Sequence, residues 1–206
     1  MEYFNCHTHS YAHNALYSGH TITGQKQSFG YAPSELFTWK AEVMELPDSV
    51  IAIGECGLDR VLKVNWKKQV EVFVWHLRLA QQYHLPLIIH CVRAYGEVLK
   101  YLLDHKINTP VIFHGYNGNV QQTQRLLQED NIYFSFGELL FRKSKAQQVL
   151  PQIPLERIFL ETDCSAKKID EIYRQAATLL AVKEATLVKT IGKNVYALWG
   201  DKFNVE

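Results

Sequence analysis

The sequence predicts an α/β fold built as a TIM-like (β/α)8 barrel, and three observations carry that expectation. Short β-branched or aromatic runs alternate with longer stretches of helical period from residue 50 onward, the pattern of a parallel sheet with helical crossovers. Ionisable residues recur at the carboxyl ends of those runs, where barrels of this kind carry their chemistry. The 206 residues suffice for one sizeable core, so a single domain over 1–206 is expected.

The first strand is expected over Tyr3 to His7. The region from Ser10 to Asp48 is broken by Gly19, Gly24, Gly30 and Pro33; within it Gln27 to Tyr31 reads as a strand, with a weaker one near Leu16 to Ile22. A full barrel typically takes ~250 residues, so this one should be compact or incomplete near its second strand. Val50 to Gly54 is the next strand, and Trp66, Val70, Phe73, Val74 and Leu77 then trace one face of a helix with Asn65 as N-cap.

Further strands are expected over Pro86 to His90, Pro110 to His114, Ile132 to Phe136 and Arg157 to Glu161. Helices fall between and after them: around Val98 to Leu103, at Leu126 and Leu127, from Ile169 to Leu180, and from Leu187 to Trp199 with Gly200 as terminator.

Twenty-two basic and 21 acidic residues leave a net charge of +1, which argues against tight duplex binding by counterion release. The amino terminus lacks the basic start and apolar run of a signal peptide, and no stretch approaches the ~18 apolar residues of a membrane span. A soluble, cytoplasmic chain with no membrane association and no obligate protein partner is the expectation. The four cysteines form no C-x-x-C pair, so reduced thiols are expected rather than a zinc ribbon or a disulfide framework.

His7 and His9 close the first strand, Glu55 follows Val-Ile-Ala-Ile-Gly, His90 follows Pro-Leu-Ile-Ile, His114 follows Val-Ile-Phe, and Asp163 follows Ile-Phe-Leu-Glu-Thr. Alternate strand residues share a face, so His7 and His9 can grip one ion together. One metal site is therefore expected from His7, His9, Glu55, His90, His114 and Asp163. Imidazole mixed with carboxylate suits zinc, manganese, nickel or iron, and a carboxylate-rich pair of sites also holds magnesium. Two ions ~3.5 to 4 Å apart, bridged by a carboxylate such as Glu55, would suit phosphoester hydrolysis.

Each cysteine adjoins a proposed ligand: Cys6, Cys56, Cys91 and Cys164 lie beside His7, Glu55, His90 and Asp163. Strand alternation turns such neighbours outward, so packing is the expected role for all four. His13, His20, His76, His84 and His105 fall in helices or loops and read as solvated or hydrogen-bonded histidines. Glu161 can line the site or serve structure, and Arg93 and Lys167 can meet a phosphate or remain surface charges. Gly115 to Asn119, which includes Tyr116 and Asn117, either cradles an anion with its amides or makes a tight turn.

The ordered motifs Cys6-His7-Thr8-His9, Gly54-Glu55-Cys56-Gly57-Leu58-Asp59, Leu87-Ile88-Ile89-His90-Cys91, Phe113-His114-Gly115-Tyr116 and Leu160-Glu161-Thr162-Asp163 resemble the TatD family of metal-dependent hydrolases. The resemblance covers nearly the whole chain and is closest to a short, Bacteroidetes-type form of the family. It implies an amidohydrolase-type barrel with two divalent ions, magnesium, manganese or zinc, and deoxyribonuclease activity trimming 3′ ends. By motif, His7, His9, Glu55 and Asp163 would hold one ion and Glu55, His90 and His114 the other, with Glu55 and Asp163 catalytic and Asp163 the general base.

Arg93, Tyr116 and Asn117 are the substrate contacts the reading favours, with single-stranded DNA ends or a small phosphoester as substrate. Three departures touch the substrate walls. The family's Gly-Ile-His-Pro is Gly30-Tyr31-Ala32-Pro33 here, its Arg-Asp after the fourth ligand, His90, is Val92-Arg93-Ala94, and Cys164-Ser165-Ala166 runs almost directly into the last helices. The competing readings are hydrolysis of a small amide or lactone, and an inactive, metal-retaining binding module.

Overall fold

The computed structural model describes residues 2–10, 12–19, 21, 25–41 and 45–203. His20 and Ile22 of the sequence reading lie outside the described residues. Eight parallel strands run in one sheet whose order is the order of the chain, the topology of a (β/α)8 barrel. Contacts divide the chain into two compact units, Ser18–Phe113 and Met1–Tyr17 with His114–Glu206.

In the first-named unit, β3 (Gln27–Phe29), β4 (Val50–Asp59), β5 (Leu87–Val92) and β6 (Val111–Phe113) pair in sequence. β4, β5 and β6 each carry a continuous apolar stretch, and Ile51, Ile53, Ile88, Ile89, Val111 and Phe113 are fully buried, as strands covered on both faces require. The helix α1 (Trp66–Tyr83) packs on β4 through Val72, Phe73, Leu77 and Ala80, which share one face at helical spacing. Asn65 caps it as expected, its side chain accepting from the Lys68 amide at 3.3 Å. α2 (Tyr95–Asp104) follows β5.

β4 is ten residues long, twice the expected length, because Gly57 lets it run on against β5. Gly57 has φ +149° and is paired with His90, whose carbonyl a Cβ at this position would strike. Glu55 is therefore the sixth residue of its strand and His90 the fourth of six in β5, not terminal residues as expected.

In the other unit, β1 (Asn5–Thr8) pairs with β2 (Ala15–Gly19), and β7 (Ile132–Phe136) with β8 (Ile158–Leu160). Among the described residues no helix separates β1 from β2, and the first helix comes only after β4. The second strand is present but short of a crossover, so the expected compactness falls in the connections.

α3 (Val120–Leu126) starts at a capping box between Asn119 and Gln122, and α4 (Lys145–Val149) is a short helix that periodicity did not reveal. The long helices α5 (Ile169–Leu180) and α6 (Glu184–Trp199) cover β8 with Ile172, Ala176, Leu187, Ile191 and Val195, all but fully buried. Gly200 ends α6 at φ +57°. Phe4, Phe159, Trp199 and Phe203 interlock as tilted and edge-on rings between β1, β8 and α6. No helix among the described residues is long and apolar enough to cross a membrane.

Candidate metal centre

β1 and the segment beyond β8 are laced together residue by residue. Asn5, itself buried, donates from Nδ2 to Thr162 Oγ1 at 2.8 Å and accepts the Thr162 amide at 3.0 Å. The Asp163 amide donates to the carbonyl of His7 at 2.9 Å, and Asp163 then turns out of the strand path at φ +51°. This lacing sets the Asp163 carboxylate against both histidines of the opening pair: Oδ1 lies 3.7 Å from His7 Nε2 and 3.4 Å from His9 Nε2.

The His7 ring is fully buried and stands edge-on to His9, with centroids 5.0 Å apart, and 4.2 Å from the ring of His114. His114 Nδ1 is 3.5 Å from Oε1 of Glu161. Glu161 is 1% exposed; its Oε1 accepts the Gly115 amide at 2.7 Å, while Oε2 has no hydrogen-bond partner. Potential ligand atoms of His114, Glu161 and Asp163 lie within 4.8 Å of one another, as do those of His9, Asp163 and Cys164.

This donor set fits a divalent cation. A buried carboxylate oxygen without a donor is costly unless a positive charge offsets it, and three imidazoles with two carboxylates offer the mixture that zinc, manganese and related ions take.

The second cluster lies in the 18–113 unit and is organised differently. His90 sits between two carboxylates, Nδ1 at 2.8 Å from Glu55 Oε1 and Nε2 at 3.1 Å from Asp59 Oδ2. Residues 55, 57 and 59 share one face of β4, which turns both carboxylates the same way. Asp59 is itself braced: Oδ1 accepts the amides of Val61 and Leu62, and Gln69 of α1 accepts the Asp59 amide at 2.8 Å while donating to its carbonyl at 3.0 Å. With Asp59 holding Nε2–H, Nδ1 is the nitrogen left to ligate, the orientation that a carboxylate behind a metal-bound histidine enforces.

The sequence reading did not assign Asp59 a role. Its signal was present in the even spacing from Glu55 along one strand.

Two expectations meet a different placement, and one open alternative narrows to the tight turn. Tyr116 is 1% exposed, with its hydroxyl 2.9 Å from Thr123 Oγ1 and its ring packed on Phe134 and Phe136, so it is a core residue and not a substrate contact. The Gly115 amide is taken by Glu161 and α3 has only seven residues, so the turn after His114 is not an anion cradle. Cys6, Cys56 and Cys91 are buried as expected, and burial pushes all three thiols up, the nearby carboxylates of Glu161 and Glu55 adding to it for the first two. Cys164 departs from that pattern and is exposed.

Arg93 follows β5 directly, exposed and with φ +53°, while Asn117 is exposed and accepts the Ala146 amide at 3.1 Å. Lys167 reaches toward Glu171 at 3.8 Å and over the ring of Phe141. His76 is a satisfied core histidine, its Nδ1–H donating to the Val72 carbonyl and Nε2 accepting the Tyr31 amide.

Known proteins resemble the chain at both levels. It is 32% identical over 119 residues to an uncharacterized metal-dependent hydrolase, YjjV, of Escherichia coli K12, which covers 57% of this chain and 46% of that protein. It is 30% identical over 146 residues to a 3′-5′ ssDNA/RNA exonuclease, TatD, of Citrobacter rodentium, covering 65% and 55%. The chain thus spans about half the length of the curated relatives it matches.

The crystal structure of the YjjV TatD homolog from Escherichia coli K12 superposes with a TM-score of 0.78 at 20% identity, covering 90% of this chain and 85% of that one, which shows the shared fold. The model of the family described as TatD related DNase matches residues 14–200. The chain belongs to that family.

Proposed function

We propose that this chain is a divalent-metal-dependent phosphodiesterase that trims single-stranded nucleic acid from its 3′ end. The observation that carries the reading is the convergence of His7, His9 and Asp163 through the lacing of β1 to the segment beyond β8. A structural ion pair would not need a third imidazole, His114, against His7, or a buried Glu161 with an oxygen left over.

Two divalent ions, magnesium, manganese or zinc, would supply Lewis acidity toward the phosphoryl oxygens and toward an attacking water. His7, His9, Glu55 and Asp163 would hold one, and Glu55, His90 and His114 the other. Asp163 is 43% exposed at its side chain, so its carboxylate can reach solvent and take the proton of the attacking water. Asp59 keeps His90 in one tautomer, and Glu161 orients His114 while fixing the Gly115 amide. Arg93 and Asn117 remain the proposed substrate contacts.

The near-neutral charge favours short single strands or exposed ends over duplex, and the relative named as a single-strand exonuclease supports the same class. The test is nucleotide release from a 3′-labelled single-stranded oligonucleotide by chelator-stripped protein with magnesium, manganese or zinc restored. Metal-dependent trimming that disappears in Asp163→Ala is the expected result. Metal binding without release on any of these ions would move the assignment to a small-molecule hydrolase.

A further inference from the structure

Cys164 stands apart from the other three thiols. Cys6, Cys56 and Cys91 are buried, whereas Cys164 is exposed, lies outside any disulfide and directly follows Asp163. Its sulfur, a ring nitrogen of His9 and a carboxylate oxygen of Asp163 all lie within 4.8 Å of one another. Four-coordinate zinc, with bonds of ~2.0 to 2.3 Å, sets its ligand atoms about 3.5 Å apart, so these groups need a contraction of up to about 1.3 Å. His9 Nε2 and Asp163 Oδ1 are already 3.4 Å apart.

A second observation points to a cation at the same carboxylate. Asp163 also belongs to the group with His114 and Glu161, where Oε2 of the 1%-exposed Glu161 has no hydrogen-bond partner. A buried carboxylate oxygen without a donor is what a cation site leaves when described without its ion.

Resting on the metal-centre reading above, we propose that Cys164 supplies a thiolate ligand beside His9 and Asp163, giving this chain a nitrogen–oxygen–sulfur site that prefers zinc-like ions to magnesium. Thiolate is a soft donor that zinc and cobalt accept, whereas magnesium takes oxygen donors in near-octahedral order and gains nothing from sulfur. On binding, the thiol proton passes to solvent and the sulfur takes the place of one water on the ion.

Cobalt(II) titrated into the chelator-stripped full chain tests this by absorption. Visible d–d bands report that the ion is bound, and a near-ultraviolet sulfur-to-cobalt charge-transfer band reports the thiolate. Both should form in the wild type. Cys164→Ser, a replacement at an exposed position, should keep the visible bands and lose the near-ultraviolet one, with zinc affinity lowered at least about tenfold and magnesium affinity unchanged.

A wild type with visible bands but no near-ultraviolet band, or a near-ultraviolet band that survives Cys164→Ser, overturns the thiolate ligand and leaves the metal centre standing. Absence of bound cobalt by elemental analysis of the dialysed protein overturns the metal centre and the thiolate with it.

Discussion

The two clusters of ionisable side chains reach similar donor sets by opposite routes. In the 18–113 unit Gln69 braces the Asp59 backbone, the Asp59 carboxylate holds His90 Nε2, and His90 Nδ1 faces Glu55 Oε1 at 2.8 Å. In the other unit, His7, His114 and Glu161 are packed into the interior with the His7 and His114 rings tilted 34° against each other and one carboxylate oxygen unmatched. The first cluster holds its geometry by its own hydrogen bonds, and the second pays for burying charge only when a cation arrives. The difference teaches where each kind of mutation should register: in orientation for the first, in ion binding for the second.

The largest effect should come from the second cluster. Asp163→Ala removes the group placed against both His7 and His9, and turnover should fall by ~10³-fold or more, measured as initial rate on a 3′-labelled oligonucleotide. A loss below tenfold would mean that Asp163 neither ligates nor moves the proton. Asp59→Asn addresses the first cluster. It should lower metal affinity or activity about 10- to 100-fold with the fold intact, because His90 loses the partner that fixes its tautomer. Equal metal affinity in calorimetry would reduce Asp59 to a brace for the turn at Val61.

Gly57→Ala separates geometry from chemistry. At φ +149° and against the carbonyl of His90, an alanine would part β4 from β5 and cost about 2 to 3 kcal/mol, read as a lower urea midpoint. An unchanged midpoint would show that β4 does not depend on that close approach.

An effect visible only as a pH slope belongs to His76. Burial lowers its pKa from 6.5 to about 4, and a second ring proton would face the Tyr31 amide. Its folded value is depressed, so stability is full above about pH 6.5 and declines as pH falls toward about 4, by roughly 3 kcal/mol in all. His76→Gln should flatten that part of the urea-midpoint profile. A profile with the same slope would assign the acid sensitivity to other groups.

Much of this was legible in the sequence where local physics and tertiary structure agree. The stripe of α1 and its Asn65 cap, the strand at Ile132 to Phe136 and the Gly200 terminator all follow from periodicity and end chemistry. The six metal-ligand candidates were legible because imidazoles and carboxylates recurred after apolar runs. What escaped depended on contacts between distant segments. The length of β4 follows from the approach of β5 at Gly57, and Tyr116 reads as a site residue until its hydroxyl is seen on Thr123. Strand alternation failed at Cys164 because Asp163 leaves the strand path at a positive φ, so its neighbour no longer points into the helical layer.

The central claim, that Glu55 is a ligand of both of two divalent ions, is tested most directly by metal content. Chelator-stripped protein is reloaded with manganese or zinc, dialysed and measured by elemental analysis beside Glu55→Ala. Two ions per chain in the wild type, with both diminished in the variant, is the predicted result, since Glu55 is assigned to both. Full two-ion content retained in Glu55→Ala would contradict the account.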